Sequence, residues 1–213
     1  MVVRCQASIN GKYVLFNQSD VIMEDEWPHK WEHSPVTYRL NNLTPDIEKR
    51  EHQIRAVTVA FRAWQLHIKD IKFKRVYDSF QKVDINISFE PLDKFDGRKG
   101  VLAHAVYPGQ GEASGDIEIN DDWNWVTHSK LMNLSSPPLV PVLIHEIGHS
   151  LGLKHDTRTM ESMMYPSFNL GKPKDRLHEN DIERIQFKYN KRNIKQRLLD
   201  YFNKRREEGW DFE

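Results

Sequence analysis

The stretch His145-Glu146-Ile147-Gly148-His149-Ser150-Leu151-Gly152-Leu153-Lys154-His155 decides the fold of this chain. It places three imidazoles and one carboxylate at the spacing H-E-x-x-H-x-x-G-x-x-H. On a helix, His145 and His149 stand one turn apart on the same face, so their ring nitrogens can share a zinc ion at about 2.0–2.1 Å. Glu146 is placed beside them to accept a proton from a water rather than to ligate the metal.

Gly152 indicates where this helix ends. Glycine adopts positive φ without steric cost, so the chain can turn there and bring His155 back as the third ligand. Three histidine ligands leave the fourth position of a tetrahedral zinc for water, which is typical of a catalytic site. The alternative is a helix with surface histidines and no metal. Five fixed positions in one register favour one catalytic zinc.

A second motif follows closely, Ser162-Met163-Met164-Tyr165-Pro166. Together with the zinc segment it resembles the metzincins, in which a tight turn places a methionine beneath the metal. Met164 is the matching residue. An ordinary core methionine is compatible with this role, because the family residue packs under the site and does not ligate.

More of the chain resembles one metzincin branch, the matrixins (matrix metalloproteinases). The matching motifs are residues 36–40 with Thr44-Pro45-Asp46, Phe95-Asp96-Gly97, Leu102-Ala103-His104-Ala105, Gly115-Asp116, residues 164–167 and residues 181–189. The resemblance covers residues 31–190 as one catalytic domain, between an N-terminal extension (1–30) and a charged tail (191–213). It implies an α+β zincin fold with a twisted, mostly parallel five-stranded sheet, three helices, and the active-site helix crossing below the cleft.

One departure from that family follows the third histidine directly. Asp156 stands where matrixins usually have serine after the third histidine, and aspartate there is typical of adamalysins. Adamalysin catalytic domains depend on disulfides, whereas this chain has a single cysteine. We therefore interpret the chain as a divergent matrixin.

The resemblance implies an endopeptidase in which Glu146 takes a proton from a zinc-activated water and passes it to the leaving amine. Substrate would lie extended and antiparallel to the strand of Leu102 and Ala103, a form of β-augmentation. The expected cleft residues are Leu102, Ala103, Pro141, Val142, Tyr165, Pro166 and Phe168. Their apolar character predicts a hydrophobic residue just after the cleaved bond.

The resemblance also implies two accessory metal sites, from which this chain departs. Of the histidines that hold a structural zinc in the family, only His104 remains, and Glu118 occupies the last ligand position. One imidazole with scattered carboxylates is a poor zinc cage, so we expect no structural zinc. Asp96 remains as a candidate calcium ligand, but Asn120 and Trp123 replace acidic residues, which lowers the expected calcium affinity.

These losses motivate an alternative function. A non-catalytic matrixin-like protein could bind matrixin substrates or inhibitors without cleaving anything. Intact Glu146 favours the enzyme. In either case the expected partners are protein or peptide substrates and proteinaceous metalloproteinase inhibitors, and we expect a monomer.

The composition of the chain limits which classes of binding partner are expected. Lys plus Arg and Asp plus Glu are both 31, so the net charge is zero and nucleic acid is not an expected main partner. No stretch approaches the roughly 18 apolar residues of a membrane span. No signal peptide is visible at the N-terminus. Matrixins are nevertheless secreted, so the resemblance implies an extracellular protein, and four N-x-Ser/Thr sequons mildly favour that route.

The segments on either side of the domain, residues 1–30 and 191–213, each allow two interpretations. Arg4-Cys5 matches two residues of the matrixin latency motif Pro-Arg-Cys-Gly-x-Pro-Asp, in which the cysteine thiolate blocks the zinc. Residues 1–30 are thus a candidate remnant of a latency peptide, and an incidental free thiol is the alternative. In the tail, a solvated helix packed on the domain is favoured over a membrane-surface or partner helix.

The periodicity of the sequence predicts the elements of the domain. We expect the first helix to be capped by Thr44 with Pro45 at its first position. Its apolar face carries residues 54, 57, 61 and 64 at helical spacing. Alternation predicts strands over residues 71–76, 85–89, 101–107 and 117–119. The active-site helix should start near Ser136 with Pro141 in its first turn, and the last helix should span residues 179–189.

Overall fold

The computed structural model describes residues 2–9, 12–13, 28–96, 98, 100–133, 135–169 and 174–190, with the backbone alone for 2–9 and 12–13. The tail 191–213 and most of the N-terminal extension 1–30 lie outside these residues. The strands are β1 (Val2–Ile9), β2 (Lys12–Tyr13), β3 (Val36–Leu40), β4 (Phe73–Arg75), β5 (Ile85–Glu90), β6 (Val101–Val106), β7 (Ile117–Asn120) and β8 (Ser167–Asn169). The helices are α1 (Arg50–Gln65), α2 (Leu139–Ser150) and α3 (Glu179–Tyr189).

All the described strands belong to one sheet, in the order β2-β1-β6-β7-β5-β3-β4, and β8 also pairs with β1, on the side away from β6. Strands β3 to β7 form the predicted five-stranded unit. Its pairs β3–β4, β3–β5 and β5–β7 are parallel, and only β6–β7 is antiparallel. The mostly parallel α+β fold is therefore confirmed, and β1, β2 and β8 extend its sheet beyond β6.

The core lies between this sheet and the helices. Along β5 the side chains alternate between buried and half-buried, as expected for a strand with one face on the core. Val57, Phe61 and Trp64 form the buried face of α1, which packs against α2. The Trp64 indole Nε1 donates a hydrogen bond of 2.8 Å to the carbonyl of Ile144, which fixes α1 against the active-site helix.

The predicted start of α1 was wrong. The helix begins at Arg50 rather than at Pro45, and its N-cap Lys49 makes no side-chain hydrogen bond. The buried Gln53 explains the late start. Its amide accepts from the Thr44 N–H at 3.0 Å and donates to the carbonyls of Thr44 and Ile47 at 2.8 and 2.7 Å. These bonds satisfy the backbone of residues 44–47 in a non-helical conformation.

The other two helices follow the sequence more closely. Helix α2 begins at Leu139, so Pro141 lies in the first turn, where its missing N–H costs little. Helix α3 has the predicted bounds and a reciprocal capping box. The His178 ring accepts from the Asn180 N–H, and the Asp181 carboxylate accepts from the His178 N–H. Among the described helices, none is long and apolar enough to cross a membrane.

Candidate metal centre and substrate cleft

Helix α2 and the turn after it bring three imidazoles together. His145 and His149 lie one turn apart on α2, and the chain reverses after the helix at Gly152, where φ is +90°. The N–H groups of Gly152 and Leu153 donate to the carbonyls of His149 and Gly148 and close the helix end. This reversal returns His155 to the other two histidines.

The spacing of the three rings fits a zinc ion. The His149 Nε2 lies 3.0 Å from the His145 Nε2 and 3.1 Å from the His155 Nε2. Tetrahedral zinc with bonds of about 2.0–2.1 Å would place its nitrogen ligands about 3.3 Å apart. Among the described residues, these three form the only group of three or more metal-ligating side chains with mutually close ligand atoms.

Hydrogen bonds at the other ring nitrogens fix the tautomers of two ligands. The Nδ1 of His145 lies 2.6 Å from the carbonyl of Met163, and the Nδ1 of His149 lies 2.7 Å from the carbonyl of Leu153. A carbonyl can only accept, so each Nδ1 carries the proton and each Nε2 turns its lone pair to the centre. Two lone pairs 3.0 Å apart repel each other unless a cation lies between them, so this donor set fits the zinc of the prediction.

Burial keeps these rings neutral. His145, His149 and His155 are each at most 6 % exposed, and desolvation lowers the pKa of all three, that of His149 to about 4. A proton on a neighbouring ring would lower the pKa of His145 and of His155 further. Neutral imidazole is the form that binds a metal, so the site is ready for it at neutral pH.

The turn that carries Met164, the predicted methionine turn, lies against α2. Met164 is fully buried, and a Cβ added at Gly148 would lie 2.4 Å from its Sδ atom. Glycine at position 148 therefore lets the methionine pack directly against α2.

Asp181 of α3 fixes this turn, a role that the sequence analysis missed. Its buried carboxylate accepts from the Ser162 hydroxyl at 2.6 Å and from the N–H groups of Met163 and Met164 at 2.7 and 3.3 Å. The same carboxylate accepts from the N–H of His178 at 2.8 Å. An acidic residue in the first turn of a predicted helix suggests a cap, but nothing in the sequence points to the distant methionine turn.

Aromatic residues complete the surroundings of α2. The Tyr107 ring packs edge-on against His149, with centroids 5.6 Å apart. The Trp31 indole donates to the carbonyl of Ser150, and the Tyr189 hydroxyl donates to that of Leu151, both at 2.9 Å. These last two bonds satisfy carbonyls that the end of the helix would leave without partners. Sequence reasoning identified none of the three aromatic residues as part of the site.

The predicted cleft residues lie on three elements. Leu102 and Ala103 are buried in β6, Pro141 and Val142 are buried in α2, and Phe168 lies in β8. Tyr165 and Pro166 are half-buried and lie in the loop just before β8.

Strand β1 lies between β6 and β8, which carry three of the predicted cleft residues. It pairs parallel with β6, with Cys5 opposite Ala103, and antiparallel with β8, with Val3 opposite Phe168. A substrate is expected to run antiparallel to β6, so β1 occupies the same edge in the opposite direction. The side chain of Cys5 lies outside the described residues.

The residues at the expected structural-zinc position bond to each other. The His104 Nε2 lies 2.8 Å from a Glu118 carboxylate oxygen, and this contact joins β6 to β7. The hydrogen bond from His104 lowers the pKa of Glu118 against the opposing effect of burial, and the charges of His104 and Lys94 lower it further. The Phe95 ring packs against the His104 ring at 4.9 Å. This arrangement does not fit a zinc cage.

The candidate calcium ligand Asp96 also has a cationic neighbour. Its carboxylate accepts a hydrogen bond of 2.7 Å from the guanidinium of Arg98. Asn120 and Trp123 both donate to the carbonyl of Val101, at 2.9 and 3.0 Å. Calcium binding at Asp96 stays a prediction.

A mostly parallel sheet, a helix bearing two of three convergent imidazoles, and a buried methionine turn together define a metzincin-type zinc peptidase domain. Residues 30–190 match the family model described as Matrixin. The chain therefore belongs to the matrixin family, as the sequence motifs predicted.

Individual relatives of the chain support the same family assignment. The chain is 37% identical to Matrix metalloproteinase-18 of Xenopus laevis over 187 residues, which cover 85% of this chain and 37% of the relative. It is 37% identical to Neutrophil collagenase of Homo sapiens over 166 residues, and 36% identical to Stromelysin-1 of Equus caballus over 167 residues. Each of these two matches covers 75% of this chain and 33% of the relative. The chain thus spans about a third of the length of the curated relatives that it matches.

Proposed function

We propose that this chain is a zinc-dependent endopeptidase that hydrolyses extended protein segments outside the cell. The observation that carries the proposal is the geometry of the three histidines. Their Nε2 atoms converge at 3.0–3.1 Å while backbone carbonyls hold the Nδ1 protons of His145 and His149. Membership of the matrixin family supports the same activity.

Bound zinc would act as a Lewis acid on the scissile carbonyl and would lower the pKa of the attacking water. Glu146 supplies the base. It lies next to His145 on α2 and is fully buried, so its carboxylate acts in an enclosed site. It takes a proton from the water and passes it to the nitrogen of the leaving amine. The carbonyls of Met163 and Leu153 keep two of the ligand rings oriented throughout.

We expect the substrate to add a strand antiparallel to β6, so that main-chain hydrogen bonds give affinity and pockets give selectivity. The walls near the metal carry Val142 of α2 and Phe168 of β8, both buried and apolar. Such a lining favours a hydrophobic residue after the cleaved bond. Proteinaceous metalloproteinase inhibitors would compete for the same edge of the sheet.

The pairing of β1 supports a proposed latency. A strand that already fills the edge of β6 excludes substrate, and its direction is opposite to the one expected for a cleavable peptide. The register places Cys5 at the level of Ala103. We propose that the Cys5 thiolate blocks the zinc, as the Arg4-Cys5 match to the family motif implies. Cys5→Ser should then cleave peptides faster than wild type, whereas equal rates would show an incidental thiol.

Cleavage of quenched fluorescent peptides tests the enzyme. Peptides with leucine after the scissile bond should be cut, and a zinc chelator should stop the reaction. Glu146→Ala should lower kcat/KM by roughly 10²–10⁴-fold while zinc content is kept. Glu112→Ala, at an exposed carboxylate in a short turn, is the matched control and should cleave like wild type. Unchanged cleavage by Glu146→Ala would contradict the mechanism.

One observation favours a second candidate, a non-catalytic binding protein. The His104–Glu118 contact stands where the resemblance implies a structural zinc, which marks a divergent domain. Such a protein would bind a metalloproteinase inhibitor tightly and yet turn over no peptide of a diverse library. Turnover that depends on Glu146 would exclude it.

A further inference from the structure

The turn that carries His155 has no helix or strand of its own, so contacts from other elements define its conformation. Arg184 of α3 reaches it from the protein interior, with only 1 % of the residue exposed. Its Nη2 donates a hydrogen bond of 2.7 Å to the carbonyl of Lys154. Its Nη1 lies 3.7 Å from a carboxylate oxygen of Asp156. One guanidinium thus contacts both neighbours of the third histidine.

Asp156 links the same turn to the rest of the site. It is fully buried, and its N–H donates to the carbonyl of Met164 at 2.9 Å. Its carboxylate also accepts from the Nε and Nη2 of Arg158 at 2.9 and 2.8 Å. Arg158 is 38 % exposed, whereas Arg184 is enclosed. The Asp156 carboxylate therefore faces one surface arginine and one buried arginine, and the buried one also bonds the Lys154 carbonyl.

Packing alone does not explain why residue 184 is an arginine rather than an apolar residue. Burying a guanidinium is expensive, and its neighbour Ile185 fills the core with an apolar side chain. An arginine there is useful because one guanidinium nitrogen donates to the Lys154 carbonyl while another lies within ion-pair distance of the Asp156 carboxylate, two contacts that no apolar residue can make. The acceptors in question flank His155 on both sides.

We propose that Arg184 is a positioning residue for His155, which it holds in ligating geometry by bonding the Lys154 carbonyl and pairing with the Asp156 carboxylate. Arg184 does not touch the metal. The inference rests on the zinc site of the proposed function. Residues that orient metal ligands from behind typically change metal affinity by about 10–100-fold when they are replaced.

Zinc release tests the proposal without any measurement of cleavage. Zinc-loaded full-length protein is mixed with excess chromogenic chelator, and the rate of zinc transfer is followed by absorbance. Arg184→Met, similar in length and uncharged, should lower zinc affinity about 10–100-fold and, with the association rate unchanged, release zinc faster by the same factor. Arg184→Lys keeps the charge without the fork and should fall between them. Arg158→Met is the matched control, because it removes the other cation from Asp156 and leaves the Lys154 contact intact; its rate should stay near wild type.

Several outcomes would overturn the proposal. A folded Arg184→Met with the wild-type release rate would do so. Equal acceleration in Arg158→Met and Arg184→Met would also do so, since the effect would then come only from the charge near Asp156. Circular dichroism establishes folding, and if Arg184→Met does not fold, a wild-type rate in Arg184→Lys decides against the proposal. Wild-type protein that binds no zinc would instead refute the proposed function itself.

Discussion

Replacing Gly152 by alanine tests the turn that delivers the third ligand. The residue has φ of +90°, a conformation that side-chain-bearing residues rarely adopt. A Cβ at this position would lie 2.8 Å from the carbonyl oxygen of His29 and 2.5 Å from the Cε of Lys188. The lysine chain can move aside, but a backbone carbonyl cannot rotate away independently. Gly152→Ala therefore meets both a conformational and a steric penalty.

The size of the effect follows from these two terms. The left-handed backbone costs about 1–2 kcal/mol for a residue with a Cβ. Forcing an additional carbon against packed atoms costs about 1–3 kcal/mol. Lower entropy of the unfolded chain returns about 0.4–1 kcal/mol. We therefore expect Gly152→Ala to lower the free energy of unfolding by about 2–4 kcal/mol.

Urea unfolding of the zinc-free protein, followed by circular dichroism, measures this difference. Alanine substitutions at two other glycines separate the conformational penalty from the steric one. Gly111 has φ of +67° and nothing within 4 Å of an added Cβ, so Gly111→Ala reports the conformational term alone. Gly100 has neither positive φ nor a close neighbour, so Gly100→Ala should be neutral or slightly stabilising. If Gly152→Ala and Gly111→Ala unfold with the same free energy, the argument from close packing against His29 is refuted.

The metal content of pure protein should be one zinc per chain by atomic absorption, since His104 and Glu118 bond to each other, and two per chain would contradict that interpretation. Glu118→Gln should cost about 1 kcal/mol in urea unfolding near neutral pH. The pKa of Glu118 is lower in the folded protein than its ordinary value of 4.5, so its carboxylate stabilises the fold above pH 4.5. This stabilisation is lost as the pH falls through the lower pKa of the folded state. If the difference in unfolding free energy between wild type and Glu118→Gln is unchanged at acid pH, that result would count against the His104–Glu118 pair. Asp181→Asn should cost about 1–3 kcal/mol, because a neutral amide cannot accept all the bonds from the methionine turn; an unfolding midpoint equal to that of wild type would be inconsistent with this.

The convergence of the three histidines could be predicted from the sequence because it depends on local spacing. His145 and His149 share a helix face through their spacing of four residues, and Gly152 marks the reversal that returns His155. The strands of the parallel sheet were equally accessible, since Ile85, with the alternating residues after it, lies in a strand with one buried face. Features that depend on residues within about ten positions along the chain could therefore be predicted from the sequence.

Features that depend on distant partners were not. The late start of α1 comes from the bonds of the Gln53 side chain to the backbone of residues 44–47, and a local cap signal at Thr44 does not include it. The contact of Arg184 with the Lys154 carbonyl spans 30 residues of sequence, and the bond from Trp31 to Ser150 spans 119. No periodicity or motif encodes such pairs. Similarly, the parallel register of β1 on β6 is a tertiary property, so sequence alone left the role of Cys5 open.

The long-range contacts converge on one element, α3. Asp181 holds the methionine turn, Arg184 holds the turn of His155, and Tyr189 bonds the carbonyl at the end of α2. These three residues lie within a helix of 11 residues whose Ile185 is fully buried in the core. Helix α3 therefore bonds three segments next to the three histidines, the methionine turn, the turn of His155 and the end of α2. The proposed role of Arg184 makes this helix, rather than a second metal, the support of the third histidine, and the zinc-release comparison tests it.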